Sequence, residues 1–309
     1  MTVLAVDVGG TTIKGAVVGP DGQIGHSLTA PSRADEDPVK AVRTLCVQLR
    51  DDAVRRAAAP AAIGVVTPGL VDEDAGVVRY AANLNFRDVP LRKLIGDDLG
   101  LPVAVGHDAR AAGIAEAVAQ GLDDFLLLPL GTGIAAAIVV RGFPLPGATR
   151  AAGEVGHIPV YPGGEPCSCG QKGCLEVYAS AGGLARRYAR LSGKSGVDSR
   201  AIAAAAATDP VAGQVWNDAT LALGTALATL TLTLDPAQIV LGGGLADAGN
   251  LFFDPVRAAL RNALAWREPP PVVRSVFGAR AALVGAAVMA RREAGLRVPE
   301  GWGAPQAGA

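Results

Sequence analysis

Four residues of one short segment have the types and the spacing of metal ligands. His157 is followed by Cys167, Cys169 and Cys174, which gives the pattern H-x9-C-x-C-x4-C. Three thiolates and one imidazole suit a closed tetrahedral Zn²⁺ site, so the zinc would be structural. The alternative is three reduced core cysteines beside an unrelated histidine, but Pro, Gly and Ser dominate this loop and could not bury them. The fourth cysteine, Cys46, lies on one face of a predicted helix and is expected in the core.

A glycine-rich turn near the start of the chain has the composition of a phosphate-binding loop. Its glycine and polar residues are Asp7, Gly9, Gly10, Thr11, Thr12 and Lys14. Glycine N–H groups approach an anion closely, the hydroxyls and the lysine add donors, and Asp7 could hold a hydrated Mg²⁺. The spacing is neither a Walker loop nor a dinucleotide fingerprint. Alone, the segment is equally compatible with a plain β-hairpin.

A second glycine turn repeats this pattern in the other half of the chain. Gly131, Thr132 and Gly133 join two predicted strands, and a triple glycine centred on Gly243 follows a third strand. Two hairpins that bind one nucleotide are the arrangement of the actin-like ATPase and sugar-kinase fold. The pairing therefore favours phosphate binding over a plain hairpin at both turns.

Hydrophobic periodicity predicts strands and helices that alternate, as in an α/β core. The predicted strands cover residues 3–8, 13–18, 23–28, 63–67, 103–106, 125–130, 134–140 and 239–241. The predicted helices cover residues 37–57, 91–99, 109–119, 184–191, 211–234, 256–265 and 281–294. The two halves use the same order of hairpin, strand and helix, which indicates a duplication.

We expect two duplicated α/β domains of the actin-like ATPase (RNase H-like) type that face a central cleft. The small domain would cover residues 1–108, with part of helix 281–294 packed on it. The large domain would cover residues 109–280 and include the zinc loop at 153–176. The tail at 298–309 is rich in Pro and Gly and is predicted to be disordered.

Composition excludes several classes of protein. Of the 309 residues, 50% are hydrophobic and 18% are charged, so the chain can bury a large core. The net charge of −1 argues against nucleic acid or an anionic membrane as a partner bound by bulk charge. The sequence has neither a signal-peptide pattern nor an apolar run of roughly 20 residues, which predicts a cytoplasmic protein.

Together these motifs resemble the ROK family (repressors, uncharacterised reading frames and sugar kinases), particularly its zinc-containing glucokinase branch. The resemblance covers residues 3–290. Besides the motifs described above, it rests on the segments 67–69, 83–84, 107–109 and 154–157. It implies ATP-dependent transfer of the γ-phosphoryl group to the 6-hydroxyl of a hexose. It also implies Mg²⁺, structural zinc and a homodimer or homotetramer.

The resemblance assigns roles to single residues. Asp108 matches the catalytic base, although the sequence alone is also compatible with a helix N-cap at this position. The other residues that match sugar contacts are Gly69, His107, Glu154, His157 and Glu176. His157 would bind zinc through one ring nitrogen and the sugar through the other.

The chain departs from the family pattern at two places. Relatives usually continue the second glycine turn with more glycines, whereas this chain has Ile134 and three alanines, whose methyl groups narrow the approach but keep the N–H donors. His107 replaces an asparagine that contacts the 3- and 4-hydroxyls of the sugar. Its lone pair would favour an amine on C3, which leaves 3-amino-3-deoxyglucose (kanosamine), from an antibiotic-precursor pathway, and glucose both open.

Three competing functions follow from the same resemblance. A ROK repressor carries a winged helix-turn-helix before its first glycine motif, which here already begins at Asp7. A sugar sensor without kinase activity should lack the base, but Asp108 is present. Polyphosphate-dependent relatives generally lack this zinc loop. We therefore expect an ATP-dependent hexose or amino-hexose kinase.

Overall fold

The structure is a computed structural model that describes residues 1–33 and 37–305. Its strands are β1 (Thr2–Val8), β2 (Thr12–Val18), β3 (Ile24–Pro31), β4 (Pro60–Thr67), β5 (Leu70–Asp72), β6 (Val77–Ala81), β7 (Phe86–Val89), β8 (Val103–His107), β9 (Phe125–Pro129), β10 (Ala137–Val140), β11 (Phe143–Pro144), β12 (Gln238–Gly242) and β13 (Val272–Arg274). Its helices are α1 (Pro38–Arg55), α2 (Leu91–Leu99), α3 (Asp108–Gln120), α4 (Leu175–Ala179), α5 (Ala181–Ser192), α6 (Ser199–Ala205), α7 (Pro210–Leu234), α8 (Asn250–Ala263) and α9 (Ala281–Glu293). Short 3₁₀ turns cover Ala82–Leu84, Val155–His157, Gly244–Ala248 and Gly278–Arg280.

The chain divides into two compact units. Unit 1 contains residues 1–123, 139–152 and 280–309, and unit 2 contains residues 124–138 and 153–279. This division differs from the predicted boundary after residue 108, because α3 and the β10–β11 turn fall in unit 1. No helix within the described residues is both long and apolar enough to cross a membrane.

The sheet of unit 1 has the strand order β3-β2-β1-β4-β8. Strands β1, β4 and β8 are parallel, and the β1–β2 and β2–β3 pairs are antiparallel. Since the carboxyl ends of parallel strands meet at one edge, the register places Asp7 beside Val66 and Thr67 beside His107. Ligands of open α/β sheets bind at this edge, so it is the expected position of a site.

Helix α3 belongs to unit 1 because α9 packs closely on it. A Cβ added at Gly285 of α9 would lie 1.9 Å from the carbonyl oxygen of Ala111, so the two backbones approach as only glycine allows. Sequence periodicity finds each helix but not this contact.

The segment that follows α9 also contacts unit 1. Trp302 is 5% exposed, and its indole N–H donates to the carbonyl oxygen of Pro20 over 2.9 Å. The N–H of Gly301 donates to the carbonyl oxygen of Val118. Residues 298–305 therefore have defined contacts, because the indole of Trp302 is buried. This differs from the prediction that residues 298–309 form a disordered tail. Residues 306–309 of that predicted tail lie outside the described residues.

A three-stranded antiparallel sheet in unit 1 was not predicted. Its strand order is β5-β6-β7, and it follows the turn at the end of β4. Its strands have three to five residues each, which is too short to show a clear alternation in the sequence.

The second five-stranded sheet has the order β11-β10-β9-β12-β13, and within unit 2 the strands β9, β12 and β13 are parallel. An aliphatic cluster that includes Leu128, Leu223 and Leu241 forms the core of unit 2. The N–H of Leu130 donates to the carbonyl oxygen of Gly242 over 2.9 Å, so the second glycine turn and the triple glycine meet at the carboxyl edge of this sheet. Each unit therefore has a glycine hairpin and parallel strands, which confirms the predicted duplicated α/β fold.

Candidate functional site

The first glycine turn is closed by hydrogen bonds within unit 1. The N–H of Gly9 donates to the carbonyl oxygen of Thr12 over 3.0 Å. The fully buried Ser32, at the end of β3, donates its hydroxyl to Gly9 O and its N–H to Thr11 O. The N–H groups of Gly10 and Thr11 have no acceptor within residues 1–33 and 37–305. Two consecutive donors are thus available to an anion. Sequence reasoning missed Ser32, since a single serine at a strand end carries no motif.

The second glycine turn repeats this arrangement in unit 2. The N–H of Gly131 donates to Gly133 O over 3.1 Å, and Gly131 O accepts the N–H of Ala181. In the part of the chain that the structure describes, the N–H groups of Thr132 and Gly133 have no acceptor. In both turns the N–H of the first glycine donates to a carbonyl oxygen of the same turn. The next two N–H groups have no acceptor among the described residues, as expected of anion-binding loops.

Glu176 and the residues after the second turn are arranged differently from the prediction. One carboxylate oxygen of Glu176 accepts the N–H of Ile134 over 3.1 Å, so this side chain supports the glycine turn. The N–H of Ala136 donates to Gly153 O over 2.7 Å. The expectation that the backbone N–H groups of residues 134–137 are available to a ligand is therefore wrong for Ile134 and Ala136, because these two N–H groups already donate to Glu176 and Gly153.

Two carboxylates lie at the carboxyl edge of the unit 1 sheet. Asp7 is the penultimate residue of β1, and Asp108 is the first residue of α3, directly after β8. Burial, together with the negative charge of Asp108, raises the pKa of Asp7 to about 6, and Lys14 opposes this rise. The side chain of Asp108 is 32% exposed, so its carboxylate is accessible to a ligand. A divalent cation would compensate the charge of this acidic pair, so the residues fit the predicted Mg²⁺.

His107, and not Asp108, is the N-cap of α3. Its Nδ1 accepts the N–H of Ala109 over 3.2 Å, and the residue is 5% exposed. Nδ1 also lies 3.3 Å from Oδ1 of Asp108, so this ring nitrogen is engaged by the start of α3 and by the neighbouring carboxylate. The role of the imidazole lone pair in a sugar pocket stays a prediction.

Gly69 lies in the turn after β4, at the same edge as His107. Its φ of +100° is in the region that favours glycine, and a Cβ here would lie 2.2 Å from the carbonyl oxygen of Tyr80. Gly69, the Asp7 turn and Asp108 are all in unit 1. The other predicted residues, namely Glu154, His157, Glu176, the second glycine turn and Gly243, are all in unit 2.

The four predicted zinc ligands lie together in unit 2. Their ligand atoms are all within 4.8 Å of one another. The sulfurs of Cys169 and Cys174 are 3.7 Å apart, and Nδ1 of His157 is 3.8 Å from the sulfur of Cys167. A tetrahedron with Zn–S bonds near 2.3 Å has edges of about 3.8 Å. The donor set and its spacing therefore fit zinc, which confirms the prediction of this cluster.

The metal cluster is joined to the second glycine turn. His157 ends the 3₁₀ turn Val155–His157, and a Cβ at Gly156 within that turn would lie 2.3 Å from the carbonyl oxygen of Ile134. Cys174 directly precedes α4, which carries Glu176. Zinc ligation would therefore hold the segments that carry Glu154, His157 and Glu176, with Glu154 itself exposed.

An apolar cavity of about 330 Å³ lies beside the triple glycine in unit 2. It is lined by Trp216, Leu245, Ala248 and Leu251, with Ser199 and Asp247 among its polar residues. The sequence offers no motif for it, because its lining comes from α6, α7, α8 and the 3₁₀ turn after Gly243. Its volume and lining suit an aromatic ring.

Three comparisons with known proteins agree with this geometry. The ROK family model matches residues 3–293. The glucokinase of Halalkalibacterium halodurans is 35% identical over 82% of this chain and 83% of its own length. The crystal structure of a ROK family glucokinase from Streptomyces griseus, in complex with glucose and AMPPNP, is 32% identical with a TM-score of 0.82, over 94% of this chain and 100% of that one. The N-acetylglucosamine repressor of Escherichia coli O157:H7 is 29% identical over 85% of this chain and 68% of the repressor.

Proposed function

The chain belongs to the ROK family, and on that premise we propose that it transfers the γ-phosphoryl group of ATP to the 6-hydroxyl of a glucose-type hexose. The observation that carries the proposal is the position of Asp108. Its accessible carboxylate lies at the carboxyl edge of the parallel strands, in the same unit as a glycine turn with two unpaired N–H groups. The relatives named glucokinase, and the glucose and AMPPNP bound to the Streptomyces griseus enzyme, support this assignment.

Asp108 would act as the general base. It accepts the proton of the 6-hydroxyl while that oxygen forms a bond to the γ-phosphorus and the bond from phosphorus to the bridging oxygen of ADP breaks. Helix α3 begins at Asp108, so the carboxylate is held by a rigid element. The products are the hexose 6-phosphate and ADP, and Asp108 then releases the proton to solvent.

Three features support ATP as the donor. The N–H groups of Gly10 and Thr11 in unit 1, and separately those of Thr132 and Gly133 in unit 2, are suited to phosphate oxygens. The cavity beside Gly244 would accept the adenine ring, a group that polyphosphate lacks. When bound, Mg²⁺ supplies charge neutralisation at the phosphates, and Asp7 would hold it.

Zinc would have a structural role in this scheme. His157, Cys167, Cys169 and Cys174 supply four protein ligands, which leaves no open position for substrate. The metal would instead hold the turn that carries Glu154 and His157, and with it the sugar contacts that the family implies.

The candidate sugars are glucose and 3-amino-3-deoxyglucose (kanosamine), because His107 stands where the family pattern has an asparagine that contacts the 3- and 4-hydroxyls. A polar group left without its partner costs roughly 5- to 150-fold in kcat/KM, so the ratio of kcat/KM for the two sugars decides between them.

A substrate screen tests the proposed function. ADP release would be measured with glucose, mannose, glucosamine, N-acetylglucosamine and kanosamine, and with polyphosphate in place of ATP for the best sugar. We expect the highest kcat/KM for glucose or kanosamine, with ATP as the donor. Turnover of none of these sugars would contradict a hexose kinase and favour a sugar-sensing regulator, the function that the name of the repressor relative suggests.

A further inference from the structure

A buried arginine and a partly exposed glutamate form an ion pair next to the turn that carries Asp108. Arg110, in the first turn of α3, is 2% exposed, and its Nε donates to Oε1 of Glu73 over 2.9 Å. Its other nitrogens donate to the carbonyl oxygens of Arg150 and Val71 over 3.3 and 3.5 Å. All these residues are in unit 1. The guanidinium is thus held by one carboxylate and by two longer contacts to the backbone.

The same oxygen of Glu73 also accepts the backbone N–H of His107 over 3.3 Å. One carboxylate oxygen therefore connects the last residue of β8 to the third residue of α3. Asp108 is between these two attachment points. The backbone N–H of Ala109 donates both to Oδ1 of Asp108, over 2.6 Å, and to Nδ1 of His107, over 3.2 Å.

Stability alone does not account for this pair. A cation in the first turn of a helix opposes the helix dipole, and removal of the guanidinium from water is costly. An ion pair of this kind is therefore weak evidence for added stability. The geometry specified here is that of the strand-to-helix turn, since both partners contact it and Arg110 itself is closed to solvent.

We propose that Glu73 and Arg110 are positioning residues that set the orientation of the Asp108 carboxylate. This inference rests on the proposed function, in which Asp108 is the base. Both residues act through the turn: Arg110 is buried, and Oε1 of Glu73 accepts from Arg110 and from the backbone of His107. Neither is therefore a catalytic residue. Loss of Arg110 would let the turn relax, and a displacement of about 1 Å at a base can cost up to about 10²-fold in turnover.

The test is the effect of Arg110→Gln in two backgrounds. In the wild-type background we expect kcat to fall by about 10- to 100-fold, with the KM for ATP unchanged. In the Asp108→Asn background we expect a further fall of less than about twofold, because the residue through which Arg110 acts is already lost. Glu73→Gln, which leaves the guanidinium without its counter-charge, should show the same pattern.

A matched control separates positioning from a general loss of stability. Arg291 is a second buried arginine of unit 1, and it donates to the carbonyl oxygens of Arg297 and Met1. Arg291→Gln should lower the melting temperature and leave kcat unchanged. If Arg110→Gln does not fold, Glu73→Gln is measured in the same two backgrounds and its kcat is interpreted in the same way.

Two results would overturn the inference. They are an unchanged kcat in Arg110→Gln, or an equal fall in both backgrounds. A different result would contradict the proposed function itself: full activity of Asp108→Asn on its own. The two failures are therefore distinguishable within one set of four proteins.

Discussion

Replacement of Asp7 by asparagine should make the protein more stable and less active. Burial and the charge of Asp108 raise the pKa of Asp7 from 3.8 to about 6, so the folded protein binds this proton more tightly than the unfolded chain. The free energy of unfolding therefore falls as the pH rises from 3.8 to 6. Two pKa units at 1.36 kcal/mol each give a loss of about 3 kcal/mol above pH 6. Asparagine has nearly the same shape and cannot ionise, so the free energy of unfolding of the variant does not fall in this way as the pH rises.

The assay is the melting temperature of Asp7→Asn and of the wild type between pH 4.5 and pH 8. For a protein of this size, about 3 kcal/mol corresponds to a shift on the order of 6 °C. The variant should gain stability over the wild type mainly between pH 4.5 and pH 6.5, with a constant difference above that range. Asp97→Asn is the control, because the Asp97 side chain is 60% exposed and pairs with Lys93 on the surface.

Turnover provides the second half of this prediction. If Asp7 holds Mg²⁺, the same variant should turn over more slowly at saturating ATP, by a factor on the order of 10². A gain in stability with a loss in activity cannot come from misfolding. A stability difference between Asp7→Asn and the wild type that does not change with pH would refute the electrostatic reasoning.

Further predictions concern the metal, the sugar, the nucleotide and one turn. The purified protein should contain one zinc per chain, and Cys169→Ala should lose it together with sugar affinity; a metal-free, fully active protein would contradict this. His107→Asn should change the ratio of kcat/KM for glucose to that for kanosamine, and an unchanged ratio would show that His107 does not contact the sugar. The fluorescence of Trp216 should change on addition of ATP and not of polyphosphate; an equal response to both would argue against the adenine cavity. Gly69→Ala should destabilise the protein by more than Gly100→Ala. Alanine at position 100 should cost only the roughly 1–2 kcal/mol of backbone strain, because a Cβ there meets no atom within 4 Å, whereas a Cβ at position 69 meets the carbonyl oxygen of Tyr80. Equal melting temperatures of the two variants would contradict the close contact at Gly69.

The features that the sequence predicts correctly are local ones. The zinc ligands follow from a spacing within 18 residues, and the glycine turns follow from residue types next to one another. The duplicated α/β order also follows from short-range periodicity, as in strands β1 and β12, whose apolar runs are buried on both faces. Each of these signals depends on neighbours along the chain.

The features that the sequence does not predict depend on contacts between distant segments. The pairing of Glu73 with Arg110 joins positions 37 residues apart, and neither residue belongs to a motif. The packing of α9 on α3, which determines the boundary of unit 1, depends on the absence of a side chain at Gly285. The contact of the His107 ring with the start of α3 is made by Nδ1, and residue type alone cannot show which ring nitrogen makes it.

The role of Asp108 as the base is tested most directly by the turnover of Asp108→Asn with glucose and ATP. Asparagine keeps the size of the side chain and removes its ability to accept the 6-hydroxyl proton. We expect turnover to fall by a factor of about 10² or more, the usual scale for the loss of a general base, with the zinc content of the wild type and a melting temperature that is not lower. Turnover within a few-fold of the wild type would contradict the assignment of Asp108 as the base, and with it the proposed mechanism.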